Sequence, residues 1–167
     1  FFKGIIPVDF AGLPVNTEDF RALADANDLW IIEDACHAPG GYFIDSKKNK
    51  NFCGNGRYAD IGVFSFHPVK HIACGEGGML TTNSKDLYEK LMLLRTHGIT
   101  KENMEENHGD WYYEMIALGF NYRLTDFQSA LGITQLAKNK KGVERRNEIS
   151  SNYKKAFKGN IKFQDLP

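Results

Sequence analysis

Two short apolar runs, Gly4 to Val8 and Trp30-Ile31-Ile32, flank a stretch of helical periodicity, and this β-α-β order points to a mostly parallel sheet flanked by helices. Asn16 reads as a helix N-cap with Asp19 three residues on. Phe20, Leu23 and Ala24 then give an apolar helical face up to about Asn27. Ligands of parallel sheets collect outside the carboxyl ends of the strands, where Glu33 and Asp34 follow the second run. Ile61 to Phe64 and Gly78 to Thr82 read as further strands, so the fold class is α/β.

Between these strands, residues 45 to 57 carry lysines, asparagines and glycines and read as a polar loop or flap. Ser84 caps a helix with Leu87, Leu91 and Leu94 at helical spacing, ending near Gly98. Residues 100 to 114 read as a loop containing Trp111, Tyr112 and Tyr113, suited either to an aromatic platform or to packing under the loop. Thr125 and Gln128 form a capping box for a helix through Leu131 and Leu136. A last, longer helix is predicted over Val143, Arg146, Ile149, Tyr153 and Phe157, stopped by Gly159. The chain opens on Phe1-Phe2 and ends on Asp165-Leu166-Pro167 without a closing element, which reads as a piece of a longer protein.

Charge narrows the partners. Lysine plus arginine equals aspartate plus glutamate at 21 each, so no net field draws the chain to nucleic acid or an anionic membrane. The odd set Cys36, Cys53 and Cys74, at irregular spacing, reads as a reducing cytoplasm. No apolar run approaches the roughly 20 residues of a spanning helix.

Chemistry concentrates between Asp34 and the glycine turn Gly75-Glu76-Gly77-Gly78. Lys70, between an apolar strand and that turn, is suited to a Schiff base, which needs a lysine partly deprotonated by burial or by positive neighbours. The alternative is a surface lysine. Asp34 has two readings: partner of a protonated pyridine nitrogen, or N-cap of a helix beginning at Ala35 to Ala38. His37 lies three residues on, able to cover the same ring or to serve structure alone. Ser65 and the glycine turn offer a hydroxyl and backbone amides to a phosphate, although tight turns also need glycine without any ligand. Asn121 and Arg123 stand at the entrance of the Thr125 helix, a place for anion contacts or an ordinary polar loop. Cys36, His37, Cys53, His67, His71 and Cys74 include no CxxC pair and no helical HxxxH, so no metal site is expected.

Five stretches, IIPVDFAGLP, IIEDACHAPGG, ADIGVFSFHPVKHIACGEGGMLTTN, LRTHGIT and GFNYRLTDFQSALGITQL, together resemble the DegT/DnrJ/EryC1/StrS sugar aminotransferases over nearly the whole chain. The resemblance implies the central part of the large domain of a fold-type I transferase, with pyridoxal 5'-phosphate as cofactor. It makes Lys70 the lysine bonded to the cofactor aldehyde, Asp34 the partner of the pyridine nitrogen, His37 the side chain against the ring and Ser65 a phosphate contact. It also makes Asn121 a contact to the phosphate of a neighbouring subunit, hence a homodimer with shared active sites, and Arg123 a substrate-binding candidate. The implied reaction moves an amino group from glutamate to a UDP-linked 4-keto-6-deoxy amino sugar. Residues 1–141 correspond to part of the cofactor-binding large domain and 142–167 to a helix leading toward a C-terminal small domain. The stretch between Asp34 and Lys70 is longer than usual for the family, with the extra residues in the 45–57 flap. Two rivals are a dehydratase on the same scaffold, where histidine replaces the lysine, and a chain that only binds cofactor or acts as an interaction module.

Overall fold

In the computed structural model, which describes residues 2–101 and 109–163, the chain builds around a four-stranded sheet in the order β1 (Gly4–Ile5), β2 (Trp30–Asp34), β5 (Ile61–Ser65) and β6 (Gly78–Thr81). The first three strands run parallel, with Ile5 opposite Ile31 and Asp34 opposite Val63. β6 closes the sheet antiparallel, placing Ser65 opposite Gly78. The carboxyl ends of β1, β2 and β5 therefore share one edge of the sheet.

Helix α1 (Thr17–Ala26) forms where its cap predicts: Asn16 Oδ1 accepts the Glu18 amide at 3.2 Å and Asn16 Nδ2 donates to Asp19 at 2.9 Å. Ala24, Ile31 and Ala59 make one buried cluster, with Ile5, Phe20 and Leu29 packed around it. Leu23 does not join that face and stays exposed. Gly62 is required where β5 meets β6, because a Cβ there would lie 2.6 Å from Thr81 Oγ1 and 2.7 Å from the Gly54 Cα.

The 45–57 stretch is more ordered than a flap. Strands β3 (Tyr42–Ile44) and β4 (Lys50–Phe52) pair as an antiparallel hairpin, and Asp45 organises the stretch from inside. Its Oδ1 accepts the Lys47 and Asn49 amides at 3.0 and 2.7 Å, while Tyr58 donates to Oδ2 at 3.0 Å. Local composition signals a loop because the anchor is one buried carboxylate rather than an apolar pattern.

Ser84 caps α2 (Lys85–Arg95) as expected. The expected 100–114 loop touches a small antiparallel pair, β7 (Ile99–Thr100) with β8 (Glu114–Met115), and residues 102–108 lie outside the described ones. Trp111 is exposed, and its ring meets Tyr112 edge-on at 5.8 Å. The two helices expected after Thr125 are one: α3 (Asp126–Ala156) runs 31 residues from a complete Thr125–Gln128 capping box. Gly142 does not break it, since one glycine costs only about 1 kcal/mol among good helix formers. Asn139 Nδ2 donates to the Pro39 carbonyl at 3.0 Å, holding α3 against the turn after β2.

Candidate active site

Asp34 sits where a parallel strand ends. Its backbone is clamped on both sides, donating to Pro7 at 2.9 Å and accepting from Asp9 at 3.0 Å. Its Oδ1 accepts the Cys36 amide at 3.1 Å. No helix follows: residues 35–41 form successive turns, with Ala38 bonded to Ala35 and Gly41 to Ala38. The helix-cap reading of Asp34 is thus corrected to a turn closed by its own side chain, which chain geometry permits for any Asx residue two positions before an amide. No lysine or arginine among the described residues forms an ion pair with Asp34.

The turn after Asp34 carries two further groups. His37 is half-buried; its Nδ1 accepts the Ala11 amide at 3.3 Å and its ring lies 5.7 Å from that of Phe10. Cys36 points its sulfur at the Val63 carbonyl, 3.7 Å away. Burial, the hydrogen bond to Asp34 and the Asp34 charge push the Cys36 thiol up to about 11, against the opposing charge of Lys70. It remains a neutral thiol beside both groups.

Lys70 is half-buried at the end of a turn in which its amide donates to His67 at 2.9 Å. The segment from Phe66 to Gly77 is closed at its base, with Phe66 donating to Gly77 at 2.8 Å and Cys74 to Phe66 at 2.9 Å. At the end of β5, Ser65 Oγ accepts the His67 amide at 3.3 Å, which places the hydroxyl under the loop that carries Lys70. Gly77 has φ +137°, which calls for glycine, and its Cα faces the Leu124 side chain, whose Cδ1 would lie 2.6 Å from a Cβ there. The same contact and the Gln128 Nε2 bond to Glu76 at 3.1 Å bring the entrance of α3 against the glycine turn.

The structure therefore gathers Asp34, Cys36, His37, Ser65 and Lys70 at one edge of the sheet. Asn121 and Arg123 are exposed, Asn121 bridged to Thr96 after α2, and among the described residues no hydrogen bond or ion pair joins either to that group. His71 and Arg146 enter as additions. With His37, Asn147, Gly12 and Tyr42 they line a cleft of about 260 Å³ between α3 and the turns. Burial lowers the His71 imidazole, and the positive charges of Arg146, His37 and Lys70 lower it further. Adjacency to Lys70 was a signal for His71; Arg146 reaches the cleft through the docking of α3, which no local pattern discloses. Among the described residues, the metal-capable donors that come together are Asp9, Glu33 and Cys53, of which only Cys53 belongs to the Cys and His positions weighed in the sequence.

The family model described as the DegT/DnrJ/EryC1/StrS aminotransferase family matches residues 1–167. A UDP-4-amino-4,6-dideoxy-N-acetyl-beta-L-altrosamine transaminase of Campylobacter jejuni is 42% identical over 159 residues, covering 95% of this chain and 39% of the relative. The solved structure of Helicobacter pylori PseC, an aminotransferase involved in the biosynthesis of pseudoaminic acid, superposes with a TM-score of 0.81 at 36% identity, over 97% of this chain and 40% of that one. A Streptococcus pneumoniae structure described as a sugar aminotransferase in its PLP form superposes with a TM-score of 0.73 at 27% identity, over 94% of this chain and 42% of that one. The chain spans about two fifths of the length of these proteins.

Proposed function

Since the chain belongs to the DegT/DnrJ/EryC1/StrS aminotransferase family, we propose that the full-length protein is a pyridoxal-phosphate-dependent aminotransferase of nucleotide sugars. The acceptor we assign is a UDP-linked 4-keto-6-deoxy amino sugar on the pseudaminic acid route, with glutamate as donor and a homodimer as the working form. The Campylobacter and Helicobacter relatives support that choice of sugar. Residues 1–141 would serve as part of the large domain. α3 crosses residue 141 without interruption and would lead from there toward a small domain.

The observation that carries the reading is that Asp34 ends β2 beside β5, whose last residue, Ser65, leads into the turn that carries Lys70. An amine and an acid that, among the described residues, has no ion-pair partner thereby stand at the same edge of the sheet. That pair fits the cofactor's needs, an amine for its aldehyde and a carboxylate for its ring nitrogen. When bound, pyridoxal phosphate supplies an electron sink for the carbon that loses or gains a proton. Lys70 would hold the aldehyde and, once displaced, move the proton between the cofactor C4' and the sugar C4. Asp34 would keep the ring nitrogen protonated and His37 would cover the ring. The Ser65 hydroxyl and the amides of the glycine turn would take the phosphate, with Asn121 reaching a neighbouring subunit's cofactor and Arg123 a substrate carboxylate or phosphate.

The test is reduction with borohydride after loading the full-length protein with pyridoxal phosphate, followed by peptide mapping. The cofactor is expected on Lys70, and Lys70→Ala removes it; fixation at another lysine in the unmodified protein would sink the assignment. A lysine in place of histidine disfavours the dehydratase. One observation favours the interaction-module reading: Phe127, Leu131, Ile133 and Leu136 are all exposed around the first half of α3. Sedimentation with and without the cofactor separates the two, because a cofactor-indifferent monomer contradicts the shared-site dimer.

A further inference from the structure

Asp9 and Glu33 have no part in the roles above, yet they meet in one of the most enclosed places of the fold. Asp9 follows β1 and is completely buried; Glu33 precedes Asp34 in β2 and is 3% exposed. Their carboxylate oxygens and the Cys53 sulfur lie within 4.8 Å of one another. The Val15 amide donates to Asp9 Oδ1 at 2.9 Å. Asp9 Oδ2, however, is buried without a donor as long as both acids are ionised. No lysine or arginine among the described residues pairs with either acid. For two carboxylates this close and out of water a double charge is costly, and a single proton relieves the repulsion while supplying the missing donor.

We propose that Asp9 and Glu33 hold one proton between them, Glu33 donating to Asp9 Oδ2, and that this bond makes Glu33 a positioning residue for His37. The connection runs through the chain. Asp9 holds Val15 through Oδ1 and Asp34 through its backbone amide, and so fixes both ends of the segment from Asp9 to Val15. Within it the Phe10–Gly12 turn, with Ala11 at φ 54°, presents the Ala11 amide to His37 Nδ1. A second charge on Glu33 drives Asp9 away and loosens the turn that aims His37. The service of His37 to a cofactor rests on the reading above; the shared proton does not.

The surroundings agree with the geometry. Burial first, then the Asp9 charge, push Glu33 up to about 7. Burial raises Asp9 as well; the Val15 amide and the Cys53 and Glu33 side chains oppose that rise and the Asp34 charge adds slightly to it. Burial and the neighbouring Asp9 and Glu33 charges raise the Cys53 thiol, so it stays protonated. Cys53 and Asp34 are the titratable groups that bear on the pair. A divalent metal, which would need Cys53 as a thiolate, is the competing occupant.

The experiment uses this chain without cofactor. For a group raised in the folded state, stability is fully present below the unfolded value of about 4.5, declines as pH rises to about 7, and is level above it. The folding constant of the unmodified chain is expected to fall on the order of a hundredfold across that window relative to Glu33→Gln, which keeps a donor to Asp9 but cannot titrate. His71 contributes the opposite slope to both proteins and cancels in the comparison. Hydrogen exchange at the Ala11 and Val15 amides, corrected for intrinsic rate, is expected to lose about tenfold protection from pH 6 to pH 8 in the unmodified chain and none in Glu33→Gln. Should that variant not fold, the infrared band of a buried protonated carboxyl in the unmodified chain, present at pH 6 and lost by pH 8, reads the proton directly. Equal pH slopes in the two proteins, absence of that band, or strong stabilisation of the unmodified chain alone by micromolar zinc overturns the proposal.

Discussion

Asp34 Oδ1 accepts the backbone amide of Cys36 at 3.1 Å, so the acid at the end of β2 also closes the turn that carries His37. One carboxylate thereby has two duties, and substitutions can separate them.

Asp34→Asn keeps an oxygen for the Cys36 amide and removes only the charge. The variant is expected to fold and to retain pyridoxal phosphate in the full-length protein, with turnover reduced by several orders of magnitude. Asp34→Ala should lose both, and its turn should cost about 1–2 kcal/mol of stability. Denaturant unfolding and single-turnover release of 2-oxoglutarate from glutamate check the split. Near-normal turnover by Asp34→Asn would rule out the charge as the working feature.

The Asn139 bond to Pro39 makes a second handle, because it joins α3 to the same turn from the opposite side. Asn139→Ala is expected to cost about 1 kcal/mol, since the Pro39 carbonyl loses a partly buried donor. It should also widen the cleft between His71 and Arg146, read as a rise of His71 toward its ordinary value in an NMR titration, because burial is the main cause of its depression.

Local rules were legible because their partners are close in sequence. Asn16, Ser84 and the Thr125–Gln128 box each satisfy amides within three residues, and all three helices start where those residues predict. The β3–β4 hairpin was not legible, since it hangs on Asp45 contacts that an aspartate in a lysine-rich run does not advertise. Nor was the continuity of α3, which runs through Gly142 while Asn139, just before it, is held by the Pro39 carbonyl. In the site, residue types suggested Lys70, Asp34, His37 and Ser65, and the resemblance assigned them roles. Cys36 and His71 follow from their adjacency to Asp34 and Lys70, whereas Arg146 and the closeness of Asp9 and Glu33 arise from strands and helices brought together across the fold, which no spacing encodes.

Gly62 tests the close approach of β5, β6 and the Gly54 turn. Gly62→Ala places a methyl 2.6 Å from Thr81 Oγ1 and 2.7 Å from the Gly54 Cα, and backbone cannot yield as a side-chain tip can. A loss of about 1–3 kcal/mol is expected in denaturant unfolding. Gly75→Ala is the control: it has positive φ but open space around a Cβ, so its cost should be smaller, about 1 kcal/mol from backbone strain alone.

Asp45 predicts how the hairpin meets acid. Burial alone would raise this carboxyl, but the Asn49 amide, the Asn51 and Asn49 side chains and the Tyr58 hydroxyl outweigh it and hold the group well below the usual carboxylate range. For a group depressed in the folded state, the stability it contributes is present above its ordinary value of 3.8 and is lost as pH falls through the folded value. The unmodified chain should therefore lose stability steadily below about pH 4. In Asp45→Asn the acid-dependent loss should be shallower, because an amide cannot take up the proton. Stability at neutral pH should also drop in that variant, since the Asn49 and Tyr58 donors lose a charged acceptor. Thermal unfolding of both proteins between about pH 2 and pH 7 reads the two effects together. Parallel curves over that range would mean that the hairpin is held by the Phe43 and Tyr58 ring contact, centroids 6.0 Å apart, rather than by the Asp45 charge.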